Sequence, residues 1–235
     1  MGWMSWAKFL CQVDCVRHPF TCINENLYMQ MADRLSEDGY LDAGYEYIHI
    51  DDCWMELKRS PDGLLVANRT RFPSGIAFLR NYVHRKGLKL GIYVDVGSAT
   101  CEGYPGSFGH FETDVKTFAK WGIDYLKADG CNLDSDLQAD AYIALGRAIN
   151  ATAHPMVYGT EWPLYLLLTN HTSLINYSAI GEHCNVFRNF WDANLSEKWL
   201  SVQRIIDFYG INQDKFINAS GPGRWLDPDE VSRIV

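Results

Sequence analysis

Six short apolar segments with strand character end in one or two carboxylates, and their positions constrain the fold more than any other feature. They occupy residues 47–52, 90–95, 125–129, 156–161, 186–192 and 225–229. Stretches with helical periodicity separate them, and this alternation predicts parallel strands joined by right-handed helical crossovers. Because the carboxyl ends of barrel strands all open on one face, the pattern predicts a (β/α)8 TIM barrel with an acidic mouth.

A doubly wound open sheet is the alternative for such an alternation. An open sheet concentrates its site at one switch point, however, whereas six strand ends carry acids here. No Gly-x-Gly-x-x-Gly or Walker motif follows a strand. The opening residues 1–6 add a seventh predicted strand, and we expect the eighth to lie beyond residue 235, so that the barrel is truncated in this chain.

Five apolar stripes with helical spacing predict the helices between the strands. Asn24 and Ser196 are suited to begin the first and the last of these helices. The stripes, which we expect to pack on the sheet, comprise Leu27, Met31 and Leu35; Ile76, Leu79 and Val83; Phe111, Val115 and Phe118; Leu137, Ala141, Leu145 and Ile149; and Trp199, Val202, Ile205 and Tyr209. The glycines expected to end four of the helices are Gly39, Gly87, Gly122 and Gly210.

The size and charge of the chain limit its class. A length of 235 residues with 47% hydrophobic residues fits one globular domain, residues 1–235. A formal net charge of −8 argues against nucleic acid or an anionic membrane surface as a partner, although an acidic balance often serves solubility alone. No apolar run is long enough to span a bilayer, and no signal peptide precedes the first predicted strand.

Cysteines and sequons indicate the secretory pathway. The seven cysteines include no Cys-x-x-Cys pair, which argues against zinc and favours disulfides, with buried free thiols as the alternative. Because the count is odd, at least one cysteine lacks an intrachain partner. Six sequons for N-glycosylation also indicate the secretory pathway; they lie at Asn68, Asn150, Asn170, Asn176, Asn194 and Asn218. We therefore expect that a signal peptide has already been removed from this sequence.

Carboxylates at strand ends make paired-acid catalysis the first chemical hypothesis. Glycoside hydrolysis requires one carboxylate as nucleophile or base and a second as proton donor, and Asp129 and Asp192 are the candidates. Lys127 precedes Asp129 by two residues and therefore lies on the same face of the strand. Its ammonium could keep Asp129 ionised, or the two could form a structural ion pair.

Aromatic residues near the strand ends could stack on a sugar ring, with core packing as the alternative for each of them. They are Trp3, Trp6, Trp54, Tyr93, Trp162 and Tyr165. A serine hydrolase is less well supported because no Gly-x-Ser-x-Gly motif occurs. The sequence has no histidine cluster that could hold a catalytic metal, so we expect no metal and no cofactor. We interpret His49 as a core histidine with its hydrogen bonds satisfied.

Several of these segments resemble glycoside hydrolase family 27, which includes animal α-galactosidases and α-N-acetylgalactosaminidases. The resemblance covers essentially the whole chain and is carried by residues 1–6, 50–54, 88–93, 126–131, 161–165 and 225–229. It implies a TIM barrel followed by an antiparallel β domain, and a retaining mechanism with a covalent glycosyl-enzyme. Asp129 would be the nucleophile and Asp192 the acid/base.

The resemblance also implies which residues hold the substrate. The expected sugar contacts are Trp6, Asp51, Asp52, Tyr93, Lys127, Glu161, Leu164, Tyr165, Arg188 and Asp229. The bulky pair Glu161 and Leu164 is typical of α-galactosidases, because α-N-acetylgalactosaminidases carry small residues there. We therefore expect terminal α-galactosides as substrates. An α-N-acetylgalactosaminidase, and an inactive galactoside-binding or truncated family member, remain the alternatives.

The remaining expectations from the resemblance concern cysteines and cell biology. It implies disulfides Cys11–Cys53, Cys15–Cys22 and Cys101–Cys131, and leaves Cys184 free because Thr160 replaces its partner cysteine. Glu230 stands where the family usually has methionine, which adds a charge beside the sugar site. A lysosomal or secreted location and a possible homodimer are also implied.

Overall fold

The computed structural model describes residues 1–194, 196, 197 and 199–229. Seven parallel strands alternate with helices along the chain. The strands are β1 (Gly2–Met4), β2 (Tyr47–His49), β3 (Lys89–Asp95), β4 (Tyr125–Asp129), β5 (Val157–Thr160), β6 (Val186–Arg188) and β7 (Trp225–Asp227). The helices are α1 (Trp6–Phe9), α2 (Glu25–Glu37), α3 (Ile76–Arg85), α4 (Phe111–Trp121), α5 (Ser135–Asn150), α6 (Trp162–Leu168), α7 (Tyr177–His183), α8 (Trp199–Ile211) and α9 (Gln213–Ile217), with a 3-10 turn at Thr172–Leu174.

The sheet follows the chain order from β1 to β7, and every neighbouring pair is parallel. In a doubly wound sheet the strand order would reverse at a switch point, and no reversal occurs between β1 and β7. The predicted barrel arrangement is therefore confirmed over that alternative. All seven predicted strands are present, including the one at the start of the chain. Within the described residues, β1 and β7 form the two edges of the sheet. The antiparallel β domain implied by the resemblance stays a prediction.

The predicted helices form where the apolar stripes placed them. Asn24 caps α2 by accepting a hydrogen bond from the Leu27 amide at 2.9 Å, as its position suggested. Two predicted core residues, Leu137 and Trp199, are instead exposed at the first turns of α5 and α8. Both residues lie in the first turn of their helices, where periodicity alone overstated the buried face. Gly210 was also wrongly expected to end α8, because the helix continues through Ile211.

Large and small residues alternate across the interior of the sheet. His49 on β2 is opposite Gly91 on β3, and Gly91 is opposite Tyr125 on β4. The His49 ring contacts Tyr47 and Tyr125, and a methyl group at Gly91 would overlap that ring. Among the described groups, the buried His49 Nδ1 has no hydrogen-bond partner, so the prediction of a satisfied histidine was wrong. Burial lowers the pKa of His49 to about 3, and the neutral ring therefore behaves as an aromatic filler.

Replacing Gly91 by alanine is expected to destabilise the fold by about 1–3 kcal/mol, because an added methyl group must displace the packed His49 ring. Gly210 gives a matched control: it lies in α8 with open space around it, so Gly210→Ala should stabilise the protein by about 0.5 kcal/mol. The free energy of unfolding in urea measures both changes. A Gly91→Ala variant as stable as the unmodified protein would contradict this packing.

The three disulfides implied by the resemblance are present. They join Cys11 to Cys53, Cys15 to Cys22 and Cys101 to Cys131. Cys184 is free, as expected, and it is buried. Burial raises the pKa of its thiol to about 12, so the sulfur stays protonated and unreactive.

The sequon asparagines differ in their exposure. Five of the six are exposed, whereas Asn68 is half-buried. The Asn68 amide donates to Glu56 at 3.1 Å and its oxygen accepts from the Arg71 amide. Occupied sequons stay a prediction, with Asn68 the least accessible of them. No described helix combines the length and the apolar character needed to cross a membrane.

Candidate active site

The carboxyl ends of the strands surround a cavity of about 630 Å³. Every second residue of a strand points to the same face. The side chains that line the cavity therefore continue the inward faces of β2, β4 and β5. Ten of the twelve predicted catalytic and sugar-contacting residues line it: Trp6, Asp51, Asp52, Tyr93, Lys127, Asp129, Glu161, Leu164, Tyr165 and Asp192. The other two, Arg188 and Asp229, are held behind its wall by ion pairs.

Asp129 ends β4 with its carboxylate fixed by several donors. The Tyr93 hydroxyl donates to Asp129 Oδ2 at 2.8 Å, and the Gly130 amide donates to Oδ1 at 3.0 Å. Sγ of Cys101 lies 3.4 Å from the same Oδ2, so the Cys101–Cys131 disulfide forms part of the wall beside it. These contacts orient one carboxylate rigidly toward the cavity, which is what a nucleophile requires.

Lys127 lies on the same face as Asp129, as predicted, but its close ion pairs are made to other carboxylates. The ammonium is 2.7 Å from Asp51 Oδ2 and 3.3 Å from Glu161 Oε1. A buried Lys–Asp pair therefore exists, with Asp51, two residues after the end of β2, as its acid. Lys127 links strands β2, β4 and β5 across the floor of the cavity and holds two acceptors in place.

Arg188 at the end of β6 gathers three carboxylates around one buried guanidinium. Its distances are 3.4 Å to Glu161, 2.7 Å to Asp192 and 2.9 Å to Asp229. The guanidinium therefore joins the ends of β5, β6 and β7. Burial alone would lower the pKa of Arg188, but the carboxylates outweigh it and raise that pKa. Arg188 positions the acids of the cavity while remaining behind its surface.

The carboxylates divide by the direction of their pKa shifts. Burial and the charge of Asp129 raise the pKa of both Asp95 and Glu161 above the usual range. Burial also raises the pKa of Asp52 to about 6, although hydrogen bonds from backbone amides act to lower it. Burial would raise the pKa of Asp192 as well, but the charge of Arg188 outweighs it and lowers that pKa. In this arrangement Asp192 is an ionised group that must take up a proton before it can act as an acid.

The raised pKa of Asp52 predicts greater stability in acid. Asp52 binds its proton more tightly folded than unfolded, so this stabilisation is complete below pH 3.8 and is lost as the pH rises to about 6. Its size is up to about 3 kcal/mol. The free energy of unfolding in urea, measured at both pH values, should show this loss in the unmodified protein and not in Asp52→Asn. The exposed Asp62→Asn is the control, and an equal loss in Asp52→Asn would contradict the assignment.

The aromatic candidates separate into two groups. Trp6, Tyr93 and Tyr165 line the cavity. Trp54 and Trp162 are buried in the core, and Trp3 packs edge-on against Phe9 and Tyr28. The core alternative is therefore correct for these last three tryptophans.

Sequence reasoning missed the part of the cavity formed by the β6–α8 connection. Its residues include Phe190, Trp191, Asn194, Glu197, Ser201 and Arg204, with Leu168 from α6. The only signal in the sequence is that Trp191 precedes Asp192. Asp95, which had no predicted role, accepts from the Gly97 and Cys131 amides at 2.7 and 2.9 Å and so anchors two loops of the cavity. Glu230 lies outside the described residues.

Comparison with known proteins identifies the family. The sequence profile described as alpha galactosidase A matches residues 1–234. The chain belongs to glycoside hydrolase family 27. The match to the family includes every described strand and helix, and with them all the residues of the cavity.

Relatives in family 27 carry two different names. Human alpha-galactosidase A is 48% identical over 230 residues, which are 97% of this chain and 52% of the relative. Chicken alpha-N-acetylgalactosaminidase is 46% identical over 230 residues, with 97% and 56% covered. The chain thus spans about half the length of the curated relatives it matches. Overall identity does not separate the two names, so the residues of the cavity have to distinguish them.

Solved structures agree with the family 27 fold. Alpha-galactosidase I from Mortierella vinacea is 31% identical with a TM-score of 0.76, covering 99% of this chain and 59% of that one. A putative alpha-galactosidase from Bacteroides fragilis is 32% identical with a TM-score of 0.81, covering 97% and 47%. The seven-stranded sheet is therefore part of the barrel that these family 27 proteins share.

Proposed function

We propose that this chain carries the active site of a retaining α-galactosidase, which hydrolyses terminal α-D-galactosyl residues of glycolipids, glycoproteins or oligosaccharides. The observation that carries the proposal is that Asp129 and Asp192 line one cavity together with Glu161 and Leu164. Two carboxylates facing one sugar are the minimum for double displacement. Their different surroundings suit them to different roles.

In the proposed reaction, Asp129 attacks the anomeric carbon of the bound galactose. The glycosidic bond breaks, and Asp192 transfers a proton to the departing oxygen. A water molecule then loses a proton to Asp192 and attacks the same carbon, which releases galactose and regenerates Asp129. Asp192 gives up its proton in the first step and regains one from water in the second, and the ion pair with Arg188 stabilises the carboxylate that acts as base between them. Carboxylates alone perform both steps, so the reaction needs no metal or cofactor.

Glu161 and Leu164 support galactose rather than N-acetylgalactosamine as the sugar. Glu161 is buried, and its carboxylate is held between Lys127 and Arg188. It can accept a hydrogen bond from a free 2-hydroxyl. Leu164, also buried, lines the same cavity from α6, and its bulk would leave less room for an acetamido group.

We expect kcat/KM for nitrophenyl α-galactoside to exceed that for the N-acetyl analogue by about 100-fold. In the double variant Glu161→Ser with Leu164→Ala, that ratio should fall below one, because the acetamido group then fits and the 2-hydroxyl loses its acceptor. Steady-state kinetics with both substrates measure the ratio. If the unmodified protein prefers the N-acetyl sugar, it is an α-N-acetylgalactosaminidase and the proposed specificity is wrong.

We further infer a lysosomal or secreted location. Three disulfides support a compartment outside the reducing cytosol, and five exposed sequon asparagines are accessible to glycosylation. The homodimer stays a prediction of the resemblance.

A further inference from the structure

The cavity continues past the catalytic carboxylates to the β6–α8 connection. Its galactose end holds the acceptors and donors from β2, β3 and β4, with Asp129 among them. The acid/base must reach the oxygen of the leaving group, so the leaving group lies on the side of Asp192. On that side the cavity is lined by Trp191, Asn194, Glu197 and Arg204, none of which the proposed mechanism uses.

Trp191 presents a free aromatic surface at this end of the cavity. The residue is 56% exposed even though it lines the cavity and adjoins the acid/base in the chain. Unlike the exposed Trp199, Trp191 offers its indole ring to the cavity itself, where a bound ligand could cover it. A pyranose ring has an apolar C–H face of the matching size.

Two charged groups lie near Trp191 in the same wall. Glu197 and Arg204 form an ion pair of 2.7 Å, with side chains 42% and 54% exposed. The Glu197 carboxylate can accept further hydrogen bonds beside this ion pair, and the Arg204 guanidinium, with five N–H groups, can donate further ones. Adjacent sugar hydroxyls can use both at once. An alkyl chain would instead remove water from the pair without replacing its hydrogen bonds.

This wall is held in place by its own hydrogen bonds. The Ser201 hydroxyl accepts from the Asn194 amide at 3.0 Å, and the Asn194 side chain accepts from the Ser196 amide at 2.8 Å. Ser201 itself is buried in α8. The connection is therefore anchored to the helix that carries Arg204, which preorganises the charged groups before a ligand arrives.

We propose that Trp191, Glu197 and Arg204 bind the first sugar of the leaving group, so that the preferred substrates carry galactose linked to a second sugar rather than directly to an alkyl chain. The indole ring stacks on the sugar, and the ion pair exchanges hydrogen bonds with its hydroxyls. The inference rests on the proposed α-galactosidase activity and narrows its substrate class.

Three α-galactosides test the proposal, and they differ only in the leaving group. They are galactosyl fluoride, an α-1,6-linked galactosyl-glucose disaccharide, and octyl α-galactoside. We expect the unmodified protein to have a higher kcat/KM for the disaccharide than for the octyl compound. A preference for the octyl compound would overturn the proposal in favour of a lipid leaving group. No turnover of galactosyl fluoride would instead show that the proposed function itself fails.

Variants locate the effect at the proposed residues. In Trp191→Ala and in Arg204→Met, the ratio of kcat/KM for the disaccharide to that for galactosyl fluoride should fall by about tenfold, because fluoride cannot reach this wall. Trp199→Ala is the matched control, since Trp199 is 62% exposed and is absent from the described lining of the cavity. Its ratio should equal that of the unmodified protein. An unchanged ratio in either Trp191→Ala or Arg204→Met would overturn the proposal, and turnover of the fluoride shows in each case that the variant is folded.

Discussion

Asp129→Asn should lower kcat for nitrophenyl α-galactoside by about 10⁴-fold or more, because the amide cannot attack the anomeric carbon. Asparagine has the shape of aspartate and keeps an oxygen that can accept from the Tyr93 hydroxyl, which lies 2.8 Å from the native carboxylate. The cavity should therefore keep its form. Steady-state kinetics measure the loss, and calorimetric titration with galactose measures whether binding persists.

Asp140 provides the control for this substitution because it is an exposed aspartate of α5. Asp140→Asn should retain the activity of the unmodified protein. If the unmodified protein binds galactose without turnover, and Asp129→Asn binds it equally well, the chain is a galactoside-binding member of the family. Substantial turnover by Asp129→Asn would remove Asp129 from the role of nucleophile.

Arg188→Met should destabilise the protein by about 3–5 kcal/mol at neutral pH, since it leaves three carboxylates near one another without their shared cation. The penalty should shrink in acid, where Glu161, Asp192 and Asp229 can take up protons and lose their mutual repulsion. The free energy of unfolding in urea, measured at neutral and at acidic pH, tests both the size and the direction of this effect.

Substitution of an exposed arginine shows how much of the destabilisation in Arg188→Met comes from burial and how much from the loss of a positive charge. Arg34 makes ion pairs with Glu37 and Asp38 on the surface of α2. Arg34→Met should cost less than about 1 kcal/mol, because water already stabilises the charges of an exposed pair. Equal effects of the two substitutions, or a penalty at Arg188 that grows in acid, would contradict the buried network described here.

The sequence predicts the fold and the floor of the cavity for a definite reason. A strand that is buried on both faces and ends in a carboxylate is a strong local signal, and parallel strands place their carboxyl ends together. Asp129 at the end of β4 and Glu161 just after β5 follow from that rule. The cap at Asn24 follows from the chemistry of helix ends, which is equally local.

The remainder depends on contacts between distant parts of the chain. Lys127 pairs with Asp51, which is 76 residues away, and no spacing rule distinguishes that acid from Asp129. The packing of His49 against Gly91 depends on register across two strands. The wall around Trp191 and Arg204 belongs to a loop and a helix, whose place over the cavity comes from tertiary packing. Sequence periodicity carries no information about such a placement.

The most direct test of the account is to map the covalent intermediate. A fluorinated α-galactosyl reagent that slows the second displacement should trap the sugar on the protein, and mass spectrometry of the digested protein should then identify the modified residue. We expect one fluorinated galactosyl group, attached through an ester to Asp129. Attachment to any other residue, or hydrolysis of the reagent with inversion and without a trapped adduct, would contradict it.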